Sequence, residues 1–565
     1  MTLFDYIRQL YQAELYEDLV HLFSLALSMS ESSESDVSTE PLMTLSQKYQ
    51  CLVYYGNAFY QQGEYRKAVR IFKKSLLLRK AINKAKGKCG SSTEIPSEME
   101  VKFRLYQCHM KLKETSDALQ VLESVSTKQR TGKINLALAR LYQQEGRDRS
   151  ALTCYKEVLR EHPLALVAVR ELLSLGMRGT DVMSVVMTAV PQFSTCEWLM
   201  GIIRAYAFMS SKDYTSAVST FRSLETKGGL RDNIYIQDGL AESLFMSGQY
   251  NQAAVAFQRI RALDPLHLHN MDLYAFLLSR DKRTKDLQTL SQQLMEVSEQ
   301  AVEPWVCMGY YSLNSINKHN ERLVRTVYCA QKAYSINSRC TQALLLKGTA
   351  LQELNRMQDA LLHFHEAVTR APDRFETYQG LVDCYVASHR LRDAVTLATR
   401  AFSHLGCSAR TSTLLASVLA KSPTTVTKAK PYLEKAMKLD PTYLEAVYIM
   451  ADICAQEHDH ERSIALLRQA LQTQNDARLH EQLGDCLAHV SQFQDALDHY
   501  HIALSLDPSS VRAREGMERV EKHNEMGLEG GYDVEVEDMA ASDNEPDFDG
   551  SDMESTWSET DFSQA

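Results

Sequence analysis

Residues 343–372 read ALLLKGTALQELNRMQDALLHFHEAVTRAP, and residues 480–508 read HEQLGDCLAHVSQFQDALDHYHIALSLDP. In the first, Gly348, Ala360, Ala367 and Pro372 are separated by 12, 7 and 5 residues; in the second, Gly484, Ala496, Ala503 and Pro508 repeat those intervals. Two antiparallel helices approach closely only where a side chain is missing or a single methyl, which accounts for the small residues. The proline lacks an N–H and disfavours helix in the residue before it, so it ends the second helix. The pattern predicts a helix-turn-helix unit repeated about every 34 residues.

Outward from these two stretches, the small residue opening the second helix falls at Ala360, Ala394, Ala429, Ser463 and Ala496, at intervals of 34, 35, 34 and 33. Ala68, Ala118, Ala151, Ala217 and Ala253 fill the slot upstream. From Ala253 to Ala360 is 107 residues, three repeats plus five, and the surplus is assigned to an enlarged turn at 317–323. The first-helix signature of an aromatic, then large and small residues, stands at Trp305, Met308, Gly309 and Ser312 and again at Tyr378, Leu381, Val382 and Tyr385. This is tetratricopeptide-repeat spacing. The expected fold is all-α, a superhelical solenoid of about 12 to 14 helix-turn-helix repeats.

The expected organisation is N-terminal repeats over 1–166 with mobile loops at 28–41 and 80–98, degenerate middle repeats over 167–233, a C-terminal repeat superhelix over 234–520, and a disordered acidic tail over 521–565. The net charge of −10 is concentrated in that tail. Residues 525–565 hold 14 Asp and Glu and no Lys or Arg, so 62 basic less 58 acidic residues leave +4 for 1–524. Too few apolar groups remain in the tail to fold alone. Ser542, Ser551 and Ser558 each precede an acidic residue by three positions and are candidate phosphosites. The twelve cysteines show no C-x-x-C pair, as expected of buried thiols in a reducing compartment. The N-terminal residues carry charges where a signal peptide would be apolar, and no apolar run is long enough to span a membrane.

Catalytic and cofactor signatures are missing: there is no G-x-S-x-G, no P-loop, no H-E-x-x-H and no dinucleotide fingerprint. The expectation is no enzyme activity, no cofactor, no metal and no small-molecule substrate. The His-x-His pairs at 267/269, 363/365, 458/460 and 499/501 are read as helical, and residues two apart on a helix diverge too far to share a metal. The one basic cluster, 80–88, lacks interleaved aromatics, which argues against nucleic acid.

First-helix positions 2, 5, 9 and 12 should line a concave groove. They hold Asp238, Glu242, Glu376, Asp383, Glu445, Asp452, Glu481 and Asp485, which favour a cationic, Arg-containing peptide; the bland alternative is a solvated helix face. Asn57 at position 9 is read either as a groove residue that bonds a peptide backbone or as a structural one. Phe4, Ile7, Leu10, Leu15, Leu19, Leu22 and Phe23 form apolar stripes where a terminal repeat should present a polar cap, and they are assigned to a homodimer interface.

Longer strings narrow the reading. Residues 97–119, 134–166 (INLALARLYQQEGRDRSALTCYKEVLREHPLAL), 302–306 (VEPWV), 342–368 and 500–508 resemble the subunit-seven family of the anaphase-promoting complex, as does the order of helices, loops, degenerate repeats and acidic tail. The enlarged turn at 317–323 departs from it. The resemblance implies a non-catalytic, homodimeric scaffold in a cell-cycle ubiquitin ligase, stacked on other repeat subunits of that complex. It further implies proximity to Ile-Arg tails of coactivators and a location in nucleus, cytoplasm and spindle. The competing reading is a free adaptor or co-chaperone. The acidic positions speak against it, since a carboxylate clamp needs Lys, Asn and Arg there.

Overall fold

The computed structural model describes residues 2–33, 43–85, 96–189, 197–227, 229–315, 319–508 and 510–526. Among these there are 29 α-helices, one short 3₁₀ turn and no strand. The acidic tail, with Ser542, Ser551 and Ser558, lies outside the described residues. The chain divides into two compact units, Met1–His389 and Arg390–Ala565. In the first, twenty helices from Leu3–Gln12 to Met357–Arg370 run as ten hairpins, followed by Phe375–Ala387. The second holds Leu391–Leu405, three hairpins between Ala409 and Leu506, and a closing helix Val511–Met526.

One packing rule builds both units. Each slot residue read from the sequence is buried, and so are the residues four and seven positions later. Ala360, Phe364 and Ala367 form one such set, Ala253, Phe257 and Ile260 another, and Ala496, Tyr500 and Ala503 a third. These spacings put three side chains on one helical stripe facing the partner helix. The glycines follow from the same rule. A Cβ on Gly348 or Gly380 would stand 2.7 or 2.5 Å from the Phe364 ring, and one on Gly484 or Gly516 2.8 or 2.6 Å from Tyr500. The aromatic of a second helix thus takes the space a missing side chain leaves.

The stripe also recovers units that the small-residue marker overlooked. Leu287, Ser291 and Leu294 are fully or almost fully buried at the same spacing, as are Thr326, Ala330 and Ala333. Thr326 fits because its hydroxyl donates to Arg322 O (2.9 Å). From Leu287 to Thr326 is 39 residues, so the five extra lie here. From His319 onward they continue a helix, where the spacing suggested an enlarged turn over 317–323. The helix His319–Ile336 runs 18 residues against the usual 14, burying Leu323, while 316–318 lie outside the described residues. The degenerate stretch contains a short hairpin, Leu166–Ser174 and Gly179–Ala189, whose Val182 and Val186 keep the stripe. The expected loops shrink too: 28–33 and 80–85 are helical, and 34–42 and 86–95 lie outside the described residues.

The first unit curves enough for distant hairpins to touch. Lys212 pairs with Asp373 (2.6 Å), Tyr250 donates to Glu376, and Arg339 donates to the Gln143 carbonyl.

Candidate functional site

The packed stripe turns the acidic positions of the first helices into two separate settings. In the first unit, Asn233 caps the helix Ile234–Ser247 by accepting from the backbone N–H groups of Tyr235 and Ile236. This helix carries Asp238 and, one turn later, Glu242. Asp238 is only 8% exposed. It accepts from His269 Nδ1 (2.8 Å) and Asn270 Nδ2 (3.1 Å), with His267 Nε2 at 3.7 Å. Burial opposes its ionisation, but the two imidazoles outweigh that and hold the carboxyl at about 2. The hydrogen bond to Asp238 raises His269 in turn, against burial. Glu242 is pushed upward, first by burial and then by Asp238. It lines a cavity of about 390 Å³ with Arg170, Lys212, Tyr214, His269 and Asp373.

Two further carboxylates escaped the sequence reading. Burial pushes both Asp272 and Glu303 up, and the Arg374 guanidinium partly offsets this at Asp272. A signal existed: Asp272 lies 34 residues after Asp238, in the same register. Glu376 is 7% exposed and takes the Tyr250 hydroxyl, with Arg374 Nε at 3.7 Å. Asp383 is exposed.

In the second unit the carboxylates meet the chain's own cations. Asp485 accepts from Arg512 Nε (3.1 Å) and Nη2 (2.8 Å) and from the Tyr500 hydroxyl (2.6 Å), and Arg519 stands at 3.7 Å. Asp452 accepts from Gln482 (2.7 Å); burial pushes it up, and Arg512 and Arg478 act in the other direction. Glu445 lies 3.5 Å from Arg478, and Ser510 donates to Glu481. Asp452, Gln482, Asp485, Tyr500 and Arg512 line a cavity of about 650 Å³. The guanidinium that meets Asp485 is that of Arg512 on the closing helix, not one from a bound peptide. The sequence reading placed these acids and missed Arg512 because that residue lies beyond the last complete repeat.

At the N-terminus part of the assigned interface is interior. Ile7, Leu19 and Phe23 are 0%, 0% and 1% exposed, so none of them can meet a partner. The physical reason is the repeat itself, since Leu19, Phe23 and Ala26 occupy the stripe of an ordinary second helix. Phe4, Leu10 and Leu22 stay half-buried and Leu15 is 48% exposed. Leu10, Leu15 and Leu22, with Leu3, Tyr6 and Ala13, wall an open apolar hollow of about 530 Å³. Asn57 donates to the Tyr11 hydroxyl (3.0 Å), and Tyr11 stacks on Tyr54 at 4.3 Å. Asn57 thus ties the first hairpin to the second, which favours the structural reading.

His267 and His269 lie in the connection between Tyr250–Leu263 and Met271–Arg280, not on a helix, so the divergence expected of helical neighbours does not apply. Their rings converge on Asp238. His363 and His365, and His499 and His501, are helical as expected; His458 sits in a turn at φ 62°.

Helical hairpins in this register, with charged side chains turned to cavities and to one another, define a tetratricopeptide-repeat protein. Residues 136–165 and 425–484 each match the tetratricopeptide repeat family. The crystal structure of the APC/C hetero-tetramer Cut9-Hcn1 shares the fold, with a TM-score of 0.58 over 92% of this chain and 96% of that one at 14% identity. Anaphase-promoting complex subunit 7 of Homo sapiens is 39% identical over 98% of both chains, and that of Arabidopsis thaliana 28% identical over 84% of this chain and 87% of its own. The chain belongs to the anaphase-promoting complex subunit 7 family, and it is a repeat-built subunit rather than an enzyme.

Proposed function

We propose that this chain is a scaffold subunit of a cell-cycle ubiquitin ligase, paired with a second copy of itself through its first hairpin and stacked on other repeat subunits. The observation that supports pairing is the apolar hollow walled by Leu3, Tyr6, Leu10, Leu15 and Leu22, at the end of the stack where a capping face would be polar. A self-complementary patch of this kind closes in a two-fold dimer and leaves the rest of the chain free for other partners. The carboxylates around the two cavities supply the second half of the reading, sites for Arg-bearing peptide tails, with the Asp485 site already satisfied by Arg512 in the free chain. Work in nucleus, cytoplasm and spindle follows from the same assignment.

Light scattering on the full chain across a concentration series tests the pairing. The expected mass is that of a dimer, against 64.1 kDa for one chain. Leu10→Glu with Leu15→Glu should give a monomer whose melting temperature barely changes, because both residues are already partly in water. A dimer that persists in this variant refutes the assigned face.

A further inference from the structure

We infer that Asp238, His267 and His269 form a zinc-class metal site, with Glu242 or water in the fourth position. The three donor atoms lie within 4.8 Å of one another. Zinc bound to imidazole nitrogen and carboxylate oxygen at about 2.0–2.1 Å in tetrahedral geometry places its donors about 3.3 Å apart. The 3.7 Å between His267 Nε2 and Asp238 Oδ1 is near that value. The 2.8 Å between His269 Nδ1 and Asp238 Oδ2 is a proton-bridged contact, which widens by about half an ångström when the metal replaces the proton.

Three observations raise this above an ordinary His–Asp pair. First, His267 Nε2 is buried with no hydrogen-bond partner, a cost that metal ligation would remove. Second, the connection that holds both histidines is preformed. Asp264 Oδ1 accepts from Leu266 N (2.9 Å), and Asn270 adopts a left-handed φ of 60° ahead of Met271. Third, an outer partner is in place, since Asn270 Nδ2 donates to Asp238 Oδ1 (3.1 Å) and fixes the carboxylate. Glu242 lies one turn beyond Asp238 on the same helix, Ile234–Ser247. Two imidazoles and a carboxylate select zinc and its transition-metal neighbours over calcium or magnesium, which prefer all-oxygen shells. The role is a clamp: a bound ion would tie the helix Ile234–Ser247 to the connection entering the next hairpin.

The test is calorimetric titration of metal-free full-length chain with zinc chloride, and with cobalt(II) as a spectroscopic probe. The expected result is uptake at one site with a tetrahedral, nitrogen-ligated cobalt spectrum. His267→Ala with His269→Ala should weaken binding at least tenfold, and Asn270→Ala about tenfold. His109→Ala should leave it unchanged, because His109, Glu114 and Asp117 form a separate cluster. Wild-type chain that takes up no metal, or a double variant that binds as wild type does, overturns the site. Should the double variant unfold by circular dichroism, the ligand signature of cobalt in the wild type decides alone, and an all-oxygen spectrum refutes the assignment.

Discussion

Arg512→Gln should strengthen, not weaken, the binding of an Arg-tailed peptide to the second unit. In the free chain Arg512 places Nε and Nη2 at 3.1 and 2.8 Å from Asp485 Oδ2, where an incoming guanidinium would have to sit. The ligand must displace it first. Charge-assisted hydrogen bonds contribute about 1.5–3 kcal/mol when sheltered. This pair is open on one side, with the Arg512 side chain 52% exposed and that of Asp485 19%, so solvent reduces its worth to about 1 kcal/mol. Removing the competitor should therefore raise affinity about fivefold. Tyr500 still donates to Asp485 Oδ1 at 2.6 Å, so the acceptor keeps its orientation in the variant. Fluorescence anisotropy with a labelled peptide ending in Ile-Arg measures the change at low salt, and the gain should shrink as salt screens the exchange. Asp485→Asn should lower affinity in the same assay. If Arg512→Gln leaves affinity unchanged or lowers it, Arg512 is no resident competitor and the groove reading fails for this unit.

Core and pH behaviour give further checks. Phe364 is 1% exposed between Gly348 and Gly380, so Phe364→Ala should cost about 3–5 kcal/mol in denaturant unfolding; a cost below 1 kcal/mol would contradict the packing rule. His480 and His499 face each other with their Nδ1 atoms 2.9 Å apart, and both are pushed below the usual imidazole range, chiefly by burial. A base whose pKa is lowered in the fold adds stability above its unfolded value of about 6.5, and that stability is lost as pH falls through the depressed pKa. Melting temperature should accordingly drop on acidification below 6.5, and His499→Gln should flatten the drop. Arg468, Asp495 and Asp498 also act on His499, so the double change with Asp495→Asn separates their part.

The fold was legible because a solenoid repeats its solution. Every unit must leave room for its neighbour in the same place, so slots such as Ala360, Ala394 and Ala496 recur in register. Where the slot holds a larger residue, as at Leu287 and Thr326, the small-residue marker is silent although the stripe four and seven residues on is intact. The surplus near 319 was misread as a turn for a related reason: spacing measures how many residues are added, not whether they continue a helix.

The candidate sites were less legible, because periodicity tells which face a residue takes but not what meets it there. Leu19 and Phe23 show the limit at an interface. Apolar stripes at a chain's end look the same whether they await a second copy or pack on the next hairpin. What separates the two cases is the stripe's phase: Leu19, Phe23 and Ala26 match the Ala360, Phe364 and Ala367 positions, whereas Leu10, Leu15 and Leu22 fall outside that phase and wall a hollow. Phase therefore makes a prediction for each residue. Leu19→Glu should unfold the first hairpin and lower stability in monomer and dimer alike, while Leu15→Glu should act on association alone. If both substitutions weaken dimerisation with equal loss of helix signal, phase does not distinguish core from interface in this repeat.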